Sequence, residues 1–235
     1  MEFKRIVVLA NSIKRNQRCV AGMELGKRNE RGTVWIRPVS GESQGELEPR
    51  HMRIEGTSPL TPLDVVDVPV GTYAEDPIHP EDWIIDATLS WKRAGILHPI
   101  ALDRLEENPD DLWLESADRT DRATGAFLLQ RANHQSLHLV RPTDFRVELS
   151  CEHNAYKNRD QQRSRAKFGY RGQEYQMSLT DPLFLDLFCK VFPAPGSGAV
   201  VVRPPYGDKC LLCVSLTPEF NGHQYKIVAA VLELP

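Results

Sequence analysis

Short apolar runs separated by turn-forming segments cover most of this chain, whereas stretches with helical spacing are scarce. The first run spans 6–10, and a second one carries Trp35 and Arg37. Proline is abundant, with 17 residues spread along the sequence. Because proline and glycine interrupt both helices and central strands, this pattern favours many short strands joined by turns. We therefore predict a mainly β protein with a few short helices.

In the first half, alternation of apolar and polar residues over 62–70 predicts a strand. Two adjacent valines, Val65 and Val66, interrupt the alternation and indicate a β-bulge. We expect the opening strand to end in a turn at Asn11 and Ser12, because both residue types are favoured in turns.

One segment of this half carries a helical signal. Pro99–Leu105 is predicted to be a helix, since proline suits the first turn and the apolar residues recur at helical spacing. The segments 126–130 and 136–142 are predicted to be strands.

The second half combines strands with one further helix. Strands are predicted at 143–150, 166–170, 174–179, 209–216 and 225–234, of which the second and third form a hairpin. The helix is expected to start at Asp181 and Pro182, because aspartate caps free amides and proline suits the first helical position. Its predicted buried stripe consists of Leu183, Phe184, Leu187, Phe188 and Val191.

Composition and charge narrow the classes of function. The net charge of −3 argues against a general coat for nucleic acid, although a local basic groove is compatible with it. No apolar run approaches the length of a membrane span, and 6–10 is too short for a secretory signal. We therefore expect a cytoplasmic protein without membrane contact. The number of cysteines, five, is odd, and most of them lie inside apolar runs, which favours reduced, buried thiols.

Three segments point to a known family. They are KRIVVLANSIK followed by CVAG and WIRPV, the tripeptide TDP at 180–182, and CLLCVSLTPEF followed by YKIVAAV. Together they resemble a prokaryotic family described as containing a dual OB (oligonucleotide/oligosaccharide-binding) domain, over nearly the whole chain. The resemblance implies two OB-like β-barrels packed in tandem and supplies no catalytic residues. We place the N-terminal barrel, with a helical insertion, at 1–142 and the C-terminal barrel at 143–235.

The stretch 156–171 is the most basic of the chain and also contains aromatic residues. Cations neutralise phosphates and aromatic faces stack with unpaired bases, so this combination is typical of a surface that binds single strands. The alternative is a solvated hairpin whose aromatic side chains face the core. The residues predicted to bind nucleic acid here are Tyr156, Lys157, Arg163, Arg165, Lys167 and Tyr170.

A second basic site is predicted in the N-terminal strands. Asn11 and Ser12 can read a base edge or a ribose hydroxyl, because both side chains donate and accept hydrogen bonds. The alternative is that these two residues serve only the turn. The residues predicted to bind nucleic acid at this second site are Asn11, Ser12, Lys14, Arg18, Trp35 and Arg37.

Signals for metal binding or catalysis are weak. Cys210 and Cys213 are spaced like zinc ligands, but residues three apart on a strand point to opposite faces, and no second pair completes the site. Nucleotide-binding loops and hydrolase motifs are absent from the sequence. We predict neither a metal nor a cofactor. The groups that a metal-dependent nuclease would use are Asp64, Asp67, Glu81 and Asp82, together with Lys92.

We therefore predict a non-enzymatic module that binds single-stranded DNA or RNA, or a nucleotide end, in a groove between the two barrels. It is expected to be an accessory of a larger prokaryotic system. Two alternatives stay open. One is a metal-dependent nuclease or nucleotide-processing enzyme, and the other is an accessory subunit that binds a protein partner through the acidic segment 106–121.

Overall fold

Two β-sheets account for most of the chain in the computed structural model, which describes residues 2–14, 17–29, 32–42, 45–54, 59–132, 134–154 and 158–235. Of residues 14, 17, 28, 29, 32 and 154 it describes the backbone alone. The strands are β1 (Glu2–Lys14), β2 (Gln17–Asn29), β3 (Gly32–Val39), β4 (Asp64–Tyr73), β5 (Asp82–Ile85), β6 (Lys92–Ile96), β7 (Arg122–Ala123), β8 (Leu137–Val140), β9 (Thr143–Asn154), β10 (Arg159–Tyr170), β11 (Gln173–Leu179), β12 (Val200–Val202), β13 (Cys210–Leu216) and β14 (Gln224–Glu233). The helices are a 3₁₀ helix (Pro99–Leu105), α1 (Gly125–Gln130) and α2 (Pro182–Asp186). Within the described ranges, none of them has the length and apolar character needed to cross a membrane.

The first sheet closes into a barrel. Its strands are ordered β1-β2-β3-β5-β4-β6, and an additional antiparallel pairing of β1 with β4 joins five of them into a ring. The second sheet has the order β12-β9-β10-β11-β14-β13-β8, and β7 pairs with β14. This strand-rich architecture with three short helices confirms the mainly β fold predicted from the sequence.

Strand β1 is apolar along most of its length because both of its faces are buried. Ile6 and Val8 point into the core of the first barrel. Val7 and Leu9 pack, together with residues of β13 and β14, into an apolar cluster between the two sheets. Alternate residues of a strand face opposite sides, so a strand between two packed layers needs no polar face. A separate cluster around Phe145 fills the second sheet.

The turn predicted at Asn11 and Ser12 is wrong. Strand β1 continues to Lys14, and these two residues pair with Val20 and Cys19 of β2. The side-chain Nδ2 of Asn11 donates a hydrogen bond to a main-chain oxygen 49 residues further along the chain, 2.7 Å away. The intrinsic preference of asparagine for turns is thus overridden by a long-range partner.

The strand predicted at 126–130 is also wrong, because this segment lies in helix α1. The hydroxyl of Thr124 caps the helix by accepting a hydrogen bond from the N–H of Phe127. A helix of six residues is too short to display its 3.6-residue period, so its apolar run resembles a strand.

Several local predictions are confirmed. Strand β4 changes register against β6 between Val65 and Val66, where the bulge was predicted. The segment Pro99–Leu105 is helical, in the 3₁₀ form. Oδ1 of Asp181 accepts hydrogen bonds from the first free amides of α2, as its position before proline indicated.

The apolar stripe predicted for α2 is only partly buried. Phe184 and Phe188 are buried, whereas Leu183, Leu187 and Val191 are exposed by 53%, 63% and 40%. The α-helix contains five residues and loses its regular geometry afterwards, so the spacing of a long helix does not apply to it.

The second sheet draws on residues from both sides of position 142. Strand β8 lies before this position and pairs antiparallel with β13. The division of the chain into 1–142 and 143–235 stays a prediction.

Candidate functional site in the cleft between the sheets

A cleft of about 840 Å³ lies between the two sheets, and both of them contribute to its walls. One wall contains Ser12 of β1 and Arg37 of β3. The other contains Thr217 and Phe220, which follow strand β13. The loop that precedes β5 also lines the cleft, through Asp76 and His79 among others. Cavities between two layers or domains are common positions for ligands, so this cleft is the candidate functional site.

Arg37 connects the two walls. Strands β3 and β5 run parallel with Arg37 opposite Asp82, and Nε of Arg37 donates a hydrogen bond to Oδ1 of this aspartate. Nη1 of Arg37 donates to the main-chain oxygen of Leu216, 3.4 Å away at the end of β13. Burial by itself lowers the pKa of Arg37, but the carboxylates of Asp82 and Glu81 outweigh burial, so the pKa is raised. The guanidinium is therefore a fixed positive charge that already has an anionic partner.

The loop before β5 holds an aspartate–histidine pair. Oδ1 of Asp76 accepts hydrogen bonds from the N–H groups of Ile78 and His79, and its Oδ2 lies 2.9 Å from Nδ1 of His79. On the opposite wall, the main-chain oxygen of Thr217 lies 3.3 Å from Nε2 of the same imidazole. The hydrogen bond with His79 holds the pKa of the Asp76 carboxyl far below its usual range.

Asp82 extends this pair to three side chains. One potential ligand atom from each of Asp76, His79 and Asp82 lies within 4.8 Å of the other two. Carboxylate oxygens and imidazole nitrogens are ligands that divalent cations accept. The group was not identified from the sequence, although the repeated three-residue spacing of its members around two prolines is a signal that could have revealed it.

Glu81 anchors the same segment to the second sheet. Its carboxylate accepts hydrogen bonds from the N–H and the hydroxyl of Ser136, at 2.8 and 2.7 Å. Burial raises the pKa of Glu81, although Arg37 and Ser136 act in the opposite direction. The neighbouring Asp82 and His79 are thus carried by a segment that the second sheet holds in place.

Two aromatic rings lie on the second wall. Phe220, in the turn between β13 and β14, is 57% exposed. Its ring centroid is 6.4 Å from that of Tyr225, and the two ring planes are inclined by 50°. Both residues line the cleft. An exposed aromatic face at the edge of a cleft is a surface on which a planar ligand can stack.

The residues predicted to bind near the N-terminus are divided between two faces of the barrel. Ser12 and Arg37 line the cleft. The side chain of Asn11 lies on the opposite face of β1, where its amide donates a hydrogen bond to the loop before β4. Arg18 is partly buried on β2, and the side chain of Lys14 lies outside the described part of the chain. The binding roles of these residues stay predictions.

Trp35 and Tyr170, predicted as stacking residues, are both buried. Trp35 is 4% exposed, and its Nε1 donates a hydrogen bond to Oε2 of Glu107, 2.9 Å away. Tyr170 is 6% exposed, and its hydroxyl donates to the main-chain oxygen of Pro109, 2.7 Å away. In this conformation neither ring offers an open face to a base. Stacking on these rings stays a prediction, and their burial disfavours it.

The basic residues of β10 lie beside acidic residues of β9. Arg163 forms an ion pair with Glu152 at 2.9 Å, and Lys167 forms a short one with Glu148. Arg165 lines a separate groove of about 600 Å³ that the same two glutamates also line. The positive charge of this hairpin is therefore partly neutralised within the protein. Outside the described residues lie Tyr156 and Lys157.

The carboxylates considered for a nuclease are engaged separately. Their partners are Arg93 for Asp64, Arg5 for Asp67, Ser136 for Glu81 and Arg37 for Asp82. Lys92 lies opposite Asp67 in the register of β4 and β6, and its Nζ lies over the ring of Phe3. Of these residues Asp82 lines the cleft.

Cys210 and Cys213 belong to two different cores. Cys210 packs into the cluster of the second sheet, and Cys213 packs into the cluster between the sheets. This arrangement confirms that the two side chains leave β13 on opposite faces. Burial raises the pKa of both thiols, that of Cys210 to about 12, so neither is a thiolate near neutral pH.

Fold and site together define a β protein with two sheet units and a polar cleft between them. The family described as "Dual OB-containing domain" matches residues 4–231, and the chain belongs to this family. The match confirms both the resemblance carried by the opening and closing motifs and the predicted dual OB architecture. No curated protein and no solved structure matches the chain.

Proposed function

We propose that this protein is a binding module that holds single-stranded nucleic acid, or a nucleotide end, in the cleft between its two sheets. Membership of a family with two OB units supports this function, because OB folds bind oligonucleotides across one face and the adjoining loops. The observation that carries it is the exposed ring of Phe220, close to Tyr225, on the wall opposite Ser12 and Arg37. The module is proposed to serve as an accessory of a larger system.

Stacking and hydrogen bonding would contribute most of the affinity inside the cleft. A base stacked on an aromatic side chain contributes about 1–3 kcal/mol, irrespective of its sequence. The hydroxyls of Ser12 and Thr217 line the same space and can pair with a base edge or a ribose hydroxyl. Arg37 is already paired with Asp82, so its attraction for phosphate is reduced.

The backbone phosphates of a bound strand would extend from the cleft toward the end of the β1–β2 hairpin. Cys19, opposite Ser12 in the register, lines the cleft. Lys14 and Arg18 come next on the same two strands. Arg18, one pair beyond Cys19 and Ser12 in the hairpin, would supply a cation near this end of the cleft. In single-strand binding, charge commonly follows the backbone while rings hold the bases.

The test is a fluorescence-anisotropy titration with labelled DNA and RNA oligonucleotides of about 10 nucleotides, within the range of OB-fold site sizes. We expect Phe220→Ala to weaken binding by about 10-fold, the loss of one stacked base. The matched control is Leu187→Ala, which removes an apolar side chain of similar exposure (63% against 57%) on α2. Equal affinity of the Phe220→Ala variant and the wild type would contradict binding in the cleft.

Phosphodiester cleavage is a second candidate function, favoured by one observation. Asp76, His79 and Asp82 place three potential metal ligands in the same cleft. A metal ion in such a site can polarise a phosphate and activate water. Product formation from the same oligonucleotides, dependent on a divalent cation and lost in Asp76→Asn, would support it. Intact oligonucleotides in the presence of Mg²⁺, Mn²⁺ and Zn²⁺ would leave the binding module as the function.

A further inference from the structure

We propose that Asp76, His79 and Asp82 form a binding site for a divalent transition-metal ion on the wall of the cleft. One ligand atom from each side chain lies within 4.8 Å of the other two. His79 and Asp82 are buried, and Asp76 is partly exposed toward the cleft that all three line. Three protein ligands of this kind leave coordination positions for water or a bound molecule.

The surroundings of His79 provide a second observation that points to a cation. Both of its ring nitrogens face oxygen atoms, Oδ2 of Asp76 at 2.9 Å and the main-chain oxygen of Thr217 at 3.3 Å. A neutral imidazole carries one N–H and can satisfy one of these two oxygens. When Nε2–H donates to Thr217, the lone pair of Nδ1 faces a carboxylate oxygen. In that tautomer a metal ion can bind both atoms, in place of the hydrogen bond that joins them in the metal-free protein.

The distance between His79 and Asp76 fits a coordination shell. With metal–ligand bonds of about 2.0–2.1 Å, adjacent ligands lie about 3 Å apart in an octahedral shell. The 2.9 Å between Nδ1 of His79 and Oδ2 of Asp76 is close to this value. The remaining ring nitrogen of a metal-bound histidine usually donates to a main-chain carbonyl or a carboxylate, which fixes the tautomer. The main-chain oxygen of Thr217 occupies that position.

Asp82 is also oriented as a ligand would be. Arg37 binds its Oδ1 and leaves Oδ2 as the oxygen for a second cation. Carboxylates that bind metals are commonly held by such a hydrogen bond. The local charges favour a further cation, because the carboxylates of Asp76 and Asp82 lie together while the guanidinium of Arg37 is paired with Asp82.

The ligand set indicates which ions the site would take. One imidazole with two carboxylates suits Mn²⁺, Co²⁺ or Zn²⁺, whereas Ca²⁺ and Mg²⁺ prefer sites built from oxygen alone. The ion would add positive charge to a cleft rich in carboxylates and could contact a phosphate oxygen of a bound strand. That contact rests on the function proposed above, but the metal site itself does not.

The experiment is a titration of the full chain, free of any polyhistidine tag and of oligonucleotide, with Co²⁺ and Zn²⁺. Calorimetry and the visible absorption of bound Co²⁺ should both report one ion per chain. Asp76→Asn keeps an oxygen that can accept the hydrogen bonds from the N–H groups of Ile78 and His79, so the fold should persist. We expect Asp76→Asn and His79→Gln each to weaken metal affinity on the order of 100-fold. Loss of a residue that only hydrogen-bonds to a ligand costs about 10–100-fold, and loss of a ligand should cost at least as much.

His153→Gln is the matched control. Nδ1 of His153 lies 3.1 Å from Oδ1 of Asp160, which repeats the aspartate–histidine contact on the exposed β9–β10 hairpin. Among the described residues, this pair belongs to no group of three ligands. The His153→Gln variant should still bind one metal ion per chain, with unchanged affinity.

A nitrogen-detected NMR spectrum of the imidazoles provides a readout that does not depend on variants. Saturating Zn²⁺ should shift the Nδ1 resonance of His79 while Nε2 keeps its proton. Two protonated nitrogens under these conditions, no uptake of metal, or unchanged affinity in Asp76→Asn would each overturn the site. Metal uptake without affinity for oligonucleotides would keep the metal site and contradict the proposed binding function. Affinity for oligonucleotides without metal uptake would overturn the metal site and keep the binding function.

Discussion

Oε2 of Glu107 accepts a hydrogen bond from the indole Nε1 of Trp35 at 2.9 Å, and this contact ties the barrel strand β3 to the segment after the 3₁₀ helix. The same oxygen accepts a second hydrogen bond from the N–H of Leu139 in β8, also at 2.9 Å. Oε1 accepts one from the hydroxyl of Thr33, at 2.8 Å. A single partly buried carboxylate thus joins strands of both sheets.

Replacement of Glu107 by glutamine should destabilise the protein. A glutamine has one acceptor oxygen and no charge, so the charged hydrogen bonds to Trp35 and Leu139 become neutral, and an N–H group replaces the oxygen that accepts from Thr33. Hydrogen bonds to charged groups contribute about 1.5–3 kcal/mol, and we expect a loss of about 1–3 kcal/mol in the free energy of unfolding in urea. The control is Glu174→Gln, whose side chain is 85% exposed and should change stability by less than about 0.5 kcal/mol. Equal stability of both variants would contradict a structural role for Glu107.

Acid should weaken the hydrogen bonds that the Glu107 carboxylate accepts. Burial raises the pKa of Glu107, but His138, Trp35 and the N–H of Leu139 outweigh burial, so its pKa in the folded protein is lowered from 4.5. A carboxyl with a lowered folded pKa stabilises the protein above its unfolded pKa, and this contribution is lost as the pH falls through the folded value. The stability of the wild type should therefore decline below pH 4.5 more steeply than that of Glu107→Gln. Parallel pH profiles of urea unfolding would show that Glu107 does not contribute.

Gly22 is a position where even one methyl group should not fit. A Cβ at Gly22 would lie 2.2 Å from the main-chain oxygen of Val7 on the neighbouring strand. The barrel would have to open at this point, and we expect Gly22→Ala to cost about 3 kcal/mol or more in the free energy of unfolding. Gly71→Ala, also on a barrel strand, places its Cβ 3.7 Å from the nearest described atom and should be nearly neutral. Similar stabilities of the two variants would contradict the close approach of β1 and β2.

Neutralising the basic hairpin should separate two possible locations of a nucleic-acid site. The triple variant Arg163→Gln, Arg165→Gln and Lys167→Gln removes cations that partly face Glu148 and Glu152. If the strand binds in the cleft, we expect less than about a 5-fold loss of affinity near physiological ionic strength, where distant charges are screened beyond about 8 Å. Anisotropy titrations of this variant and of Phe220→Ala decide the question. Abolished binding in the triple variant would place the site on the hairpin.

Features that depend on neighbouring residues could be predicted from the sequence. The hairpin predicted between 166–170 and 174–179 is formed by β10 and β11, and it turns at Arg171 and Gly172, both with positive φ. The capping role of Asp181 and the register change at Val65 likewise follow from local chemistry. Short-range rules suffice for such features, because the interacting atoms belong to the same segment of chain.

The candidate site was only partly predictable. Ser12 and Arg37 were selected from the sequence and do line the cleft. Phe220 was not selected, because an aromatic residue in a turn gives no indication of which surface it faces. Trp35 was expected at a ligand surface, and it is instead buried against Glu107, 72 residues away along the chain.

By itself, the sequence determined that this chain folds mainly into strands, where its turns and caps are located, and to which family it belongs. Only the tertiary structure decided that β1 runs on through Asn11 and that His79 meets Thr217, 138 residues away along the chain. The physical reason is that strand propensity, capping and turn chemistry act over a few residues, whereas a site requires side chains from distant segments to meet. Their meeting is determined by how the two sheets pack, through apolar contacts that many other sequences would satisfy equally well.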